Sequence, residues 1–147
     1  MRKLLLSTTI LLLLPTNFSF LYQPVNYREI LFSLTNSLNV DIISSVVTDV
    51  DPFDWVDPRG PLLDFQDLQI PSKVTLNITT KCNLDVTWLP FTMTHAFADG
   101  TRAKFRYYLS LVAPYIGFRH VLDGNRDASV KISNQTYNLL TVTLTVN

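Results

Sequence analysis

Residues 49–58 read DVDPFDWVDP, and four of these ten positions are aspartates: Asp49, Asp51, Asp54 and Asp57. Clustered carboxylates supply the hard oxygen ligands that calcium takes, so a metal loop is the first chemistry to weigh. The spacing departs from the helix-loop-helix calcium template. Counted from Asp49, the fifth place holds Phe53, the sixth holds Asp54 where glycine is required, and the twelfth holds Gly60 where glutamate is required. Pro52, Pro58 and Pro61 stiffen the same stretch, and a turn-rich connection without a ligand accounts for the composition equally well. Phe53 and Trp55 offer a different chemistry, because aromatic rings in an exposed Pro-rich segment serve as anchors at interfaces. The alternative is that both rings fold back and cap the core.

Nitrogen and sulfur ligands are scarce: His95, His120 and Cys82 make up the whole set. No CxxC or HxxxH pair supports a zinc site. His95 shares strand parity with Met93 and Phe97, and His120 with Phe118 and Leu122, so both imidazoles are expected to point inward or to line a pocket. A lone cysteine excludes an intrachain disulfide. Cys82 has the parity of Leu84, Val86 and Trp88, which predicts a buried thiol, with a bridge between two chains as the alternative. No GxSxG elbow, HExxH or Gly-rich phosphate loop is present, and no motif calls for a cofactor. Two aspartates acting together across strands are the remaining route to hydrolysis.

Charge removes one class of partner. The 147 residues carry 12 basic and 12 acidic side chains, so the basic excess that nucleic acid demands is missing. Residues 41–67 nevertheless sum to −6 and residues 68–147 to +4. Arg102, Lys104 and Arg106 fall on one face of a predicted strand and form a short positive row. Such a row is ordinarily a solvated face or a guard against edge pairing. It could instead meet an anionic glycan or lipid headgroup, or the acidic loop of a second copy, which would give a homo-oligomer.

The N-terminus reads as a targeting segment. Residues 1–20 place Arg2 and Lys3 before an apolar run from Leu4 to Leu14 and a breaker from Pro15 to Ser19, the layout of a signal peptide. Export to a secreted or extracellular location follows. No clean small-x-small cleavage site is present, so an uncleaved anchor is the alternative, and a membrane is implied only in that case. Acceptor tripeptides for N-glycosylation begin at Asn77 and Asn134, and a further one at Asn17 lies in the leader.

These side chains need a scaffold, and residues 21–147 are expected to supply it as a single β-rich domain. One short helix is predicted over 27–38, with Asn26 and Glu29 as its capping box and Tyr27, Ile30, Leu31, Leu34 and Leu38 as its stripe. From Val40 onward the period is two. Strands are predicted over 40–50, weakly over Leu63 to Ile70, then over 74–79 and 82–88. A hairpin follows whose three-residue loop, Asp99 to Thr101, sets His95 against Phe105 and Met93 against Tyr107. Strands from Ile116 to Leu122, from Ala128 to Ile132 and from Leu140 to Val146 complete the series, with turns at 123–125 and around Asn134. About eight strands at short, even spacing predict an antiparallel two-sheet β-sandwich, with a closed barrel as the alternative.

The first functional expectation is a secreted or surface glycoprotein that binds a protein or glycan partner through Phe53, Trp55, Arg102, Lys104 and Arg106. The second is a carrier enclosing an apolar ligand among Trp88, Phe91, His95, Phe97, Phe105 and Tyr107. A secreted hydrolase ranks third.

Overall fold

A computed structural model of the chain describes residues 26–57, 64–136 and 138–147. The leader reading, the Asn17 tripeptide and residues Pro58, Gly60 and Pro61 lie outside them. Eight strands follow in order: β1 Tyr27–Asn36, β2 Ile42–Thr48, β3 Thr75–Asn83, β4 Trp88–Phe97, β5 Arg102–Ser110, β6 Gly117–Asp123, β7 Ala128–Thr136 and β8 Leu139–Val146. They form two four-stranded sheets, β3-β1-β8-β7 and β2-β4-β5-β6. The pairings are antiparallel except for β1 with β8, which is parallel. The architecture is an all-β sandwich and not a closed barrel.

The predicted helix over 27–38 is corrected by β1. Its inward row is Arg28, Ile30, Phe32, Leu34 and Asn36, and the alternation is unbroken over ten residues. Polar residues at both ends of that row disguise it as a helical stripe. Arg28 Nη1 donates to the Leu111 carbonyl at 2.8 Å, and Asn36 Nδ2 donates to the carbonyls of Val40 and Ile70 at 2.8 and 3.0 Å. With β3 on one side and β8 on the other, both edges of the backbone are paired, and ladder hydrogen bonds outweigh the local helical preference.

Other boundaries also shift. The strands predicted over 74–79 and 82–88 are one strand, β3, followed by a turn over 84–87, and β4 starts afresh at Trp88. The new start flips parity, so Leu89, Phe91, Met93, His95 and Phe97 face inward while Trp88 faces out. In the β4–β5 hairpin His95 pairs with Ala103 and Met93 with Phe105, two residues from the predicted register. The loop is Ala98 to Gly100. A slip of two preserves the faces, which is why the same side chains are buried. Gly100 takes the positive φ expected of it, +85°. β7 runs through Asn134 to Thr136, so the predicted turn comes later. No strand forms over 64–70, where Ile70 alone bridges to Ile42.

The core lies between the sheets. Phe32 of β1 meets Phe91 of β4 and Phe65 of the β2–β3 connection edge-to-face, with centroids 5.8 and 5.2 Å away and planes 88° and 84° apart. Each such ring contributes about 1.5–3 kcal/mol through burial. No space for a water molecule is left among Phe32, Val47, Trp55, Phe65 and Phe91.

Candidate binding face

The acidic connection is built as a turn. The Asp51 carboxylate accepts from Phe53 N at 2.9 Å and caps a single 3-10 turn, Pro52–Asp54. Asn83 Nδ2 then donates to the carbonyls of Phe53 and Trp55 at 2.6 and 3.3 Å. Trp55 pairs with Cys82 as an isolated bridge and is only 3% exposed, so it belongs to the core and cannot serve as a surface anchor. Phe53 points the other way and is 85% exposed. Asp49 sits at φ +54°, and its carbonyl accepts from Arg106 Nη1 at 2.7 Å. The basic strand and the acidic connection therefore already meet within one chain, through a backbone oxygen. Among the described residues no three His, Cys, Asp or Glu side chains converge as a metal site.

The two histidines part company. His95 is sealed between the sheets with Nδ1 2.6 Å from Ser45 Oγ, and burial lowers its pKa to about 4. The pair has the composition of a nucleophile and a base, yet both side chains are closed off from solvent. His120 corrects the inward expectation. β6 is an edge strand exposed on both faces, and His120 pairs with Arg106 on the outer surface. Cys82 is fully buried, and burial pushes its thiol up to about 11, the state of an unreactive core cysteine.

The outer surface of the β2-β4-β5-β6 sheet carries a group of rings that the sequence reading left inside or unassigned. Trp88 of β4 and Phe118 of β6 are 49% and 51% exposed, with centroids 6.4 Å apart and planes 18° from parallel. They meet across β5 because the residue paired with Trp88 is the small Ser110. Tyr108 pairs with Phe118, takes the edge of His120 at 5.7 Å and lies 5.4 Å from the Arg106 guanidinium. Arg106 is anchored further by Thr92 Oγ1 at 3.2 Å. Arg102 and Lys104 continue the row toward the far end of the sheet, where Lys104 pairs with Asp123.

Beside Trp88 an open cleft of about 340 Å³ is lined by Phe53, Asp54, Asp85, Val86, Thr87 and Trp88. The Asp54 carboxyl is held above its usual range by partial burial first, then by the charges of Asp51 and Asp85. Trp88, Tyr108, Phe118 and Asp85 are the residues that sequence reasoning missed. A signal existed: the inward row from Phe91 to Phe97, extended back to Leu89, puts Trp88 on the outside. The two acceptor asparagines lie elsewhere. Asn77 of β3 and Asn134 of β7 are both exposed on strands of the opposite sheet, Asn77 receiving a hydrogen bond from Ser33 Oγ at 2.8 Å.

No protein-family model matches the chain, and no curated protein matches it. Among solved structures, the RahU protein, crystallised in complex with a TRIS molecule, is similar at 12% identity and a TM-score of 0.46, over 82% of this chain and 94% of that one. IP-1A from Alcaligenes faecalis is similar at 9% identity and a TM-score of 0.43, over 80% of this chain and 90% of that one.

Proposed function

We propose that the protein is an exported, N-glycosylated recognition module that binds a glycan through the outer surface of the β2-β4-β5-β6 sheet. The observation that carries this reading is the exposed parallel pair Trp88 and Phe118. Large rings left in water lower the solubility of a chain unless they are used, and contiguous exposed apolar surface marks a contact site. Trp and Tyr combine a flat apolar face with a polar tip, which suits a sugar ring presenting C–H groups on one side and hydroxyls around its rim. Arg106, Tyr108 and His120 stand next to the rings with the donors and acceptors such a rim needs. Both acceptor asparagines lie on the other sheet, so attached glycans leave this surface bare.

Against the carrier reading, Phe91, His95, Phe97, Phe105 and Tyr107, the interior it would need to open, are buried and occupied by contacts among their own rings. The test is binding of the purified secreted protein to an array of oligosaccharides, repeated with Trp88→Ala and Phe118→Ala. Saturable binding that both variants lose is the expected result. Capture of a protein from the extracellular fraction, with every array signal negative, would replace the glycan by a protein partner on the same surface.

A further inference from the structure

We infer that the cleft beside Trp88 selects glycans carrying a free amino group, so that the ligand is an amino-sugar oligomer with unacetylated residues. This rests on the glycan reading above and adds to it the charge of the ligand. Two carboxylates, Asp54 and Asp85, and two exposed rings, Phe53 and Trp88, line one cleft. Aromatic faces attract an ammonium group through their quadrupole, and a carboxylate beside them adds direct charge attraction.

Among the described residues neither acid is neutralised. Among the described residues the ion pairs are Arg119 with Asp127 and Arg126 with Asp99, and neither Asp54 nor Asp85 has a basic partner. Arg28 is buried and spends its Nη1 on the Leu111 carbonyl. A second open space of about 540 Å³ is lined by Asn26, Phe53, Asn83, Leu84 and Asp85. Asp85 and Phe53 thus line both spaces, so a ligand longer than one sugar can touch the two together. Trp88 joins the first cleft to the ring pair with Phe118. A sugar stacked on the rings therefore has its neighbour beside the two carboxylates.

The experiment is calorimetric titration at pH 6 with two probes, an oligomer of glucosamine and the same oligomer fully N-acetylated. The expected result is at least about tenfold tighter binding of the amine, a preference that weakens as salt is raised. Asp54→Asn together with Asp85→Asn should erase the preference, so that the two oligomers bind with equal affinity, while Trp88→Ala weakens binding of both. Equal affinity for the two oligomers, or a preference that survives the double Asp→Asn change, overturns the inference and leaves the glycan reading standing. Binding of neither oligomer also overturns it, and the glycan reading falls with it only if the oligosaccharide array is blank as well.

Discussion

Ser45 Oγ lies 2.6 Å from His95 Nδ1 between the two sheets, while His95 Nε2 is buried without a partner. Such a ring is held neutral, and its pKa falls from 6.5 to about 4 because burial penalises the charged form. Between those values the unfolded chain takes up a proton that the folded chain refuses. Stability is therefore complete above pH 6.5, declines as pH falls, and stops declining from this cause near pH 4, the whole loss being about 3 kcal/mol. Denaturant unfolding at a series of pH values measures it. Ser45→Ala with His95→Leu removes both polar partners together and should flatten that window, whereas Ser45→Ala alone strands Nδ1 and costs about 1–3 kcal/mol. A steep decline that persists in the double variant would assign the acid sensitivity elsewhere.

Trp55 illustrates a stability role where the sequence suggested a contact. The indole packs among Phe32, Val47, Phe65 and Phe91, while the backbone bridges to Cys82 and Val56 N donates to the Lys81 carbonyl at 3.1 Å. Trp55→Ala should cost about 3–5 kcal/mol, as expected for a large buried ring. Below its unfolding transition the variant should still bind ligand, because the outer rings are untouched. Loss of binding by a variant that remains folded would return Trp55 to the recognition surface.

What the sequence disclosed followed from period and what it hid followed from polarity. The inward row from Phe91 to Phe97 and the row from Leu140 to Val146 were legible because every alternate, inward position is apolar or His95. β1 was not, since Arg28 and Asn36 occupy inward places and donate hydrogen bonds to carbonyls of residues far away in the chain. Phe118 and Trp88 were placed inside because apolar residues at alternate positions signal a buried face, yet β6 is an edge strand and β4 begins one residue out of step with the end of β3. The site depended on those two facts, so it stayed out of view. Asp85 was invisible for a further reason: a single acid in a turn has meaning only once Asp54 stands beside it.

Two glycines with the same handedness separate strain from collision. Gly100 and Gly124 have φ of +85° and +93°, but a Cβ at Gly100 meets nothing within 4 Å, while one at Gly124 comes within 2.4 Å of the Arg102 carbonyl. Gly100→Ala should cost about 1 kcal/mol from conformation alone. Gly124→Ala should cost clearly more, because backbone atoms of β5 must move where it pairs with the end of β6. Unfolding midpoints of the two variants provide the comparison, and equal losses would mean that the β6–β7 turn yields at no cost.

The placement of glycans offers a test of the binding face that leaves the rings intact. Pro90 is on the outer side of β4, paired with Tyr108, and is followed by Phe91 and Thr92. Pro90→Asn thus completes an acceptor tripeptide on the aromatic surface, and it adds a backbone N–H to a strand with neighbours on both sides. Secreted from a glycosylating host, the wild-type chain should carry sugar at Asn77 and Asn134 by mass spectrometry and bind its ligand with or without enzymatic deglycosylation. The Pro90→Asn chain should gain a third glycan, lose binding, and recover it when the glycans are trimmed. A fully modified Pro90→Asn protein that binds as well as the wild type would place the ligand off this sheet, whatever the rings of Trp88 and Phe118 do there.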